Sequence, residues 1–288
     1  MEAGSGEPVF RDVTDTARWV AVYRARETER ADPLFRDPFA RRLAGERGEE
    51  IASRLPHQER SEWAWPIRTL LFDRFIAGEI EKGADLVVNL AAGLDARPYR
   101  MPLPSSLRWV EVDHPELLGY KETVLAGEEP ACELERVGLD LSNRAARRAL
   151  FERLGRETKR AVIVTEGLLI YLAAEDVGAL ATDVAEQTGF RRWTLDLVSP
   201  GLFRMIDRQI GSHLAAARAP LRFAPAEGPP FFRRFGWEPV EVQSLLRAAS
   251  RAGRVPLWMR LLAQLPESNG AQGGRPWSGV CLLRRVER

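Results

Sequence analysis

The chain has 288 residues, 45% of them hydrophobic and 29% charged, enough for one large α/β domain or a core domain carrying a sizeable insertion. Its 42 basic and 41 acidic residues are mixed along the sequence and leave a formal charge of +1, so the basic patch of a nucleic-acid binder is not expected. No run approaches the ~18 consecutive apolar residues of a membrane span, and the start, Met1 to Gly6, lacks the basic and apolar regions of a secretory signal, so the expectation is a cytoplasmic protein with no membrane partner.

Cys132 and Cys281 form neither a metal-ligand spacing nor a disulfide framework, and His57, His114 and His213 are scattered, so no metal is expected. Lysine occurs only at Lys82, Lys121 and Lys159. In so arginine-rich a chain, an arginine is informative only where its position supports a role.

In chain order, Asp15 to Arg30 carries Ala17, Val20, Ala21 and Ala25 at helical spacing, interrupted by the Pro33 and Pro38 region. Residues 1–80 read as a helical leader. Its last part, Trp65 to Ile80, is an amphipathic helix with Ile67, Leu70, Leu71, Phe75 and Ile76 on its apolar face and Gly83 ending it. Short apolar runs come next at Leu86 to Leu90, Leu107 to Val112, Ala161 to Val164 and Trp193 to Val198, with the pattern of buried parallel strands. Helical stretches separate them at Pro115 to Ala126, Asn143 to Leu154 and Glu175 to Gln187. Such alternation predicts an α/β, doubly wound, mostly parallel sheet, with residues 81–199 as the cofactor-binding core. Residues 200–240 break the alternation and are rich in proline, arginine and phenylalanine, which reads as a lid insertion or a packing elaboration. Val240 to Ala252 reads as a further helix and Gly279 to Val286 as a last strand, so that 241–288 completes a single domain spanning 1–288.

The segment VVNLAAGLDARPYRM, Val87 to Met101, runs a strand straight into Ala91-Ala92-Gly93 and Asp95. Small residues there let a ligand approach the backbone closely, although an ordinary strand-to-helix turn has the same look. The next strand delivers Glu111 and Asp113, the latter 20 positions beyond Gly93, where a carboxylate can accept hydrogen bonds from ribose hydroxyls. Asp113 before His114-Pro115 is equally suited to opening a helix. These features fit a nicotinamide dinucleotide and S-adenosylmethionine alike. Asp95 favours the second, because a carboxylate in this loop repels a pyrophosphate and tolerates a cationic ligand.

Taken together, RARETERADPLFRDPFARRLAG (24–45), IRTLLFD (67–73), NLAAGLDARPYR (89–100), WVEVDHPELLGYK (109–121), LDL (139–141) and TEGLLIYL (165–172) resemble the leucine carboxyl methyltransferases and their bacterial O-methyltransferase relatives, including polyketide carboxylate methyltransferases. The resemblance implies a class I, Rossmann-like methyltransferase fold with a seven-stranded sheet and a cap built from the leader and the late insertion. It implies S-adenosylmethionine as cofactor, with Arg24 and Arg68 on its methionine carboxylate, Gly93 beside its methionine and ribose, and Asp113 on the ribose hydroxyls. Asp140 and Leu141, ending the next strand, would read adenine; Glu166 would meet the ammonium group; and Tyr171 would line the methyl-transfer chamber. A solvated helix face for Arg24, a helix cap for Asp140 and a packing role for Tyr171 are the competing readings. One departure is Ala91, where many methyltransferases have glycine.

The activity implied is O-methyl transfer to a carboxylate or hydroxyl oxygen of a small molecule, with secondary metabolites among the candidate acceptors. A carboxylate acceptor is already ionised at neutral pH, whereas a phenol or alcohol needs a base, so scattered histidines favour the carboxylate. A nicotinamide-dependent oxidoreductase and a non-catalytic cofactor-binding protein are the alternatives. The sequence leaves the acceptor's identity and the oligomeric state open.

Overall fold

A computed structural model describes residues 8–12, 14–55, 61–266 and 275–287. The candidate base His57 and the start, Met1 to Gly6, lie outside the described residues. Three helices come first: α1 (Thr14–Thr28), α2 (Ala40–Arg54) and α3 (Ala64–Glu81). The alternating core continues as β1 (Leu86–Leu90), α4 (Arg97–Arg100), β2 (Arg108–Asp113), α5 (Pro115–Val124), β3 (Glu133–Gly138), α6 (Arg144–Arg156), β4 (Ala161–Thr165), α7 (Ala174–Ala185) and β5 (Phe190–Val198). The last part comprises α8 (Pro200–Ile206), a π-helical turn at Asp207–Gly211, α9 (Ser212–Ala216), β6 (Trp237–Ser244), α10 (Leu245–Arg251), α11 (Leu257–Leu262) and β7 (Ser278–Arg285).

The strands form one seven-stranded sheet in the order β3-β2-β1-β4-β5-β7-β6, parallel except for β7, which runs antiparallel to both β5 and β6. Every residue of β1 and β4 is buried, because helices cover both faces of the sheet. Strand alternation divides the core: Val87 joins α3 residues Ile67, Leu71 and Phe75 on one side, while Val88 joins Leu150, Leu154 and Val177 of α6 and α7 on the other. A third apolar cluster unites α1 and α2 with Leu94, Leu117 and the late residues Ile210, Leu214 and Ala217. The N-terminal helices and the segment after β5 therefore pack together.

Two expectations are corrected. Residues Val240 to Ala252 are not one helix: β6 occupies Trp237–Ser244, and only Leu245–Arg251 is helical, started by the Ser244 hydroxyl accepting from Arg247 N. Sheet pairing to β7 overrides local propensity here, and the core resumes at Trp237, inside the stretch assigned to the insertion. Nor do Asp140 and Leu141 end a strand. β3 stops at Gly138, and as the sheet's edge it carries the half-exposed sequence ELERVG, which has no apolar run to reveal it.

From β1 the chain winds outward through β2 to β3, and from β4 it winds the opposite way to β5. Loops leaving the ends of β1 and β4 diverge, which opens a crevice at this switch point.

Candidate functional site

A cavity of about 990 Å³ occupies that crevice, at the upper end of the roughly 300–1,000 Å³ usual for small-molecule sites. Its lining includes Arg24, Arg68, Ala91, Gly93, Asp95, Asp113, Asp140, Leu141, Glu166 and Tyr171. Residues as far apart in sequence as Arg24 and Tyr171 thus share one wall system, because four strand ends and α3 converge on it.

The loop after β1 makes the first wall. Ala91 has φ 53° and Gly93 φ 52°, both in the left-handed region. Gly93 suits that conformation; Ala91 carries a side chain into it at a cost of about 1–2 kcal/mol. Replacing Ala91 with glycine relieves this strain while loosening the unfolded chain by about 0.4–1 kcal/mol. The net expectation is a gain of about 0.5 kcal/mol or slightly more, read as a small rise in Tm; a fall in Tm would contradict the strain account.

Asp113 closes the loop from beneath. Its Oδ2 accepts from Gly93 N at 2.6 Å and its Oδ1 from His114 N at 2.7 Å, so it braces the turn; it does not open α5, whose cap residue is His114 with no side-chain cap bond. Glu111, two residues earlier, is fully buried and bound to Lys121 at 2.6 Å and Arg136 at 3.0 Å, away from the cavity lining. Of the two acids delivered by β2, only Asp113 reaches the cavity. Asp140 is exposed and accepts from Ser142 N at 2.8 Å, which lowers its pKa; Asn143, not Asp140, caps α6. Leu141 O accepts from Arg147 Nη1 at 2.8 Å.

A buried ion-pair chain forms the opposite wall. Arg24 pairs with Asp37 at 2.9 Å and donates to Leu94 O at 2.6 Å. Arg100 reaches Asp37 at 3.9 Å and Asp73 at 2.7 Å. Arg97 meets Asp73 at 2.6 Å, Asp95 at 2.8 Å and Glu166 at 2.8 Å, with its side chain only 2% exposed. Arg68 completes the series, bonding Glu166 at 3.0 Å and standing 3.4 Å from Asp196. Burial alone would raise the Asp95 carboxyl, but Arg97, helped by Lys121 and Arg100, pulls it down to about 2. Asp95 is thus compensated by Arg97, so the charge that a ligand meets is that of the whole chain of pairs.

Sequence reasoning named Arg24, Arg68, Asp95 and Glu166 of this system and missed Asp37, Asp73, Arg97, Arg100 and Asp196. Arg97 and Arg100 stand inside the segment LDARPYR and Asp73 lies on α3, yet nothing in the spacing tells that they meet. Asn89, which donates to Asp95 Oδ2 at 2.8 Å, was also overlooked. So was Gly167, whose φ is 69° and where an added Cβ would lie 3.1 Å from Arg68 Nη1. Asp196 had a visible signal, an acid near a strand end like Asp113.

The rest of the cavity is mostly apolar, walled by Trp19, Val20 and Trp65 from the leader and by Leu202, Ile206, Ile210 and Leu214 from the late insertion. Tyr171 stands at the border, half-buried, its phenol pKa raised by burial although Arg68 opposes the shift. His114 lines the Asp113 end, and His213 does not line the cavity. Among the described residues no helix is long and apolar enough to cross a membrane, and no group of three or more His, Cys, Asp or Glu is arranged to hold a metal.

The leucine carboxyl methyltransferase family matches residues 17–185. A protein of Mycobacterium ulcerans, provisionally named an S-adenosyl-L-methionine-dependent methyltransferase, is 37% identical over 153 residues, which cover 48% of this chain and 50% of that one. The chain therefore spans about half the length of that relative. A similarly named protein of Frankia alni is 32% identical over 265 residues, covering 88% of this chain and 91% of its own length. Among solved structures, a protein of Thermobifida fusca provisionally described as a methyltransferase superposes with a TM-score of 0.58 at 16% identity, covering 97% of this chain and 96% of that one. A DUF574 family protein of Streptomyces avermitilis gives 0.57 at 14% identity, covering 94% and 97%. These two share the class I methyltransferase-like fold and, at such identity, the fold alone. With the family match running from α1 through α7 and the Frankia alni protein similar over nearly its full length, this chain belongs to the leucine carboxyl methyltransferase family.

Proposed function

We propose that this protein transfers the methyl group of S-adenosylmethionine to an oxygen of a largely apolar small molecule. The observation that carries the reading is the charge inventory of the buried chain of pairs. Four guanidiniums (Arg24, Arg68, Arg97, Arg100) alternate with five carboxylates (Asp37, Asp73, Asp95, Glu166, Asp196), which leaves one negative charge when all are ionised. S-adenosylmethionine carries two positive groups and one carboxylate, so its net charge complements that wall, whereas a pyrophosphate would be repelled.

The residues also fit the cofactor piece by piece. Arg68 can offer its planar guanidinium to the methionine carboxylate, and Arg24 supports it from α1 although two of its donors serve Asp37 and Leu94. Glu166 is the carboxylate for the ammonium group. Gly93 and Ala91 let the backbone come close, with Asp95 held beside them; Asp113 has lone pairs left for ribose hydroxyls, and Asp140 with the Leu141 amide suits adenine. When bound, the cofactor supplies a methyl group already activated by its sulfonium. The protein's own task is to orient the acceptor and exclude water, which suits Trp19, Trp65, Tyr171, Ile206 and Ile210. Burial keeps the Tyr171 phenol protonated through neutral pH, so it positions by donating a hydrogen bond rather than by taking a proton.

Isothermal calorimetry with S-adenosylmethionine and its demethylated product tests this. Binding of both is expected, the product more weakly because it lacks the sulfonium charge. Absence of binding by both at high micromolar concentration would end the proposal.

A further inference from the structure

We propose that the exposed face of α11 is a docking surface for an anionic membrane, on which the protein lies peripherally. The inference stands apart from the methyl-transfer reading above and adds to it a place where an apolar acceptor is met.

None of the residues of α11 is buried. Leu257, Trp258, Leu261, Leu262 and, in the turn that follows, Leu265 are 47–72% exposed, and their spacing by three and four positions sets them along one side of the helix. Met259 packs the other way, against the apolar cluster of α3 and α10. The apolar side of α11 therefore faces outward, the reverse of an ordinary surface helix. Large apolar side chains gathered on a surface mark a contact with another molecule. Outside the described residues the sequence offers only Met1 and Val13 as large apolar side chains, so no stretch of it is suited to cover this face.

Charge identifies the occupant. Residues 245–266 hold four arginines and no aspartate or glutamate. Arg254 is neutralised by Glu27 and Asp32. Arg251 and Arg260 are exposed, and among the described residues they bond uncharged oxygens only, Arg251 that of the Gln243 side chain and Arg260 the carbonyls of Val255 and Gly253. Two uncompensated cations thus flank the apolar face. A symmetric dimer through this face would bring the same arginines of both copies into one interface, whereas anionic headgroups complement them. Trp258 favours lipid as well, because an indole ring settles between headgroups and hydrocarbon while leucines reach below it.

The face also adjoins the site. Trp258 and Met259 line a second recess, of about 810 Å³, shared with Tyr23 of α1 and Pro66 of α3, and Trp63 lines both this recess and the main cavity. An apolar acceptor concentrates in a bilayer. Seating α11 on lipid therefore places the acceptor's source beside the rim of the cavity.

The test is cosedimentation of the full chain with vesicles of phosphatidylcholine and of an equimolar mixture with phosphatidylglycerol. Binding to the mixture is expected to be about 30-fold tighter at low salt, at about fivefold per arginine, and to weaken as salt rises. Leu257→Ser combined with Leu261→Ser should cost about 100-fold. Arg251→Gln combined with Arg260→Gln should leave equal, weak binding to both vesicles. Circular dichroism checks folding of both variants. Brominated lipid tails give a reading on the wild type itself: they should quench its tryptophan fluorescence, and quench Trp258→Phe less. No binding to either vesicle, equal wild-type binding to both, or unchanged sedimentation of the leucine variant would each overturn the proposal. So would a dimer, seen by light scattering, that the leucine substitutions abolish, since the face would then belong to a second copy. Calorimetry with S-adenosylmethionine should not distinguish these variants from wild type, so absence of cofactor binding strikes the methyl-transfer reading and absence of vesicle binding strikes only the membrane contact.

Discussion

Replacing Arg97 with methionine is expected to lower the unfolding free energy by about 3–5 kcal/mol, because removing one member of a buried ionic network strands its partners. Arg97 is 2% exposed and meets Asp73, Asp95 and Glu166 at 2.6–2.8 Å. Arg100 and Arg68 still hold Asp73 and Glu166 in the variant, but Asp95 keeps only Asn89 and a backbone amide. At a few degrees per kcal/mol, the loss corresponds to a Tm roughly 10 °C lower. The acid limb gives an independent signature. Asp95 titrates near 2 in the folded chain against an ordinary 3.8, so its stabilisation is present above about pH 4 and is lost as pH falls towards 2. That contribution is about 2 kcal/mol. The variant should lose most of it, which flattens stability across that window in chemical denaturation. A Tm within about 2 °C of wild type would remove Arg97 from its place as hub.

Arg68→Ala and Asp113→Ala should each weaken S-adenosylmethionine binding by roughly 100-fold while leaving a folded chain. One or two charge-assisted hydrogen bonds of about 1.5–3 kcal/mol are at stake in each, and a tenfold change in affinity corresponds to about 1.4 kcal/mol. The two variants fail differently. Arg68→Ala removes the donor for a carboxylate and adds net negative charge beside Glu166 and Asp196, so its effect should shrink as ionic strength rises. Asp113→Ala releases the amide of Gly93, loosening the turn that approaches the ligand, and should show little salt dependence. Asp113→Asn, which retains an accepting oxygen, should recover part of the loss. Calorimetry at two salt concentrations, with circular dichroism as the check on folding, decides; unchanged affinity in both alanine variants would dismiss these ligands.

The alternation of apolar runs and helical stretches in the sequence determined the core: β1, β2, β4 and β5, with α3, α5, α6 and α7, all carry local patterns that burial on two sheet faces imposes on any chain. The glycine-loop segment and its acid 20 positions on were equally readable, since a close backbone approach restricts residue size and a strand end restricts where an acid can point. Tertiary structure alone decided the rest. β3 and β6 are edge strands, half exposed, and their pairing rather than their composition makes them strands. The ion-pair chain from Arg24 to Asp196 joins α1, α3, α4, the loop after β4 and β5, and electrostatic partnership across such distances leaves no periodic trace in sequence, because Coulomb attraction depends on where side chains meet in space and not on their separation along the backbone.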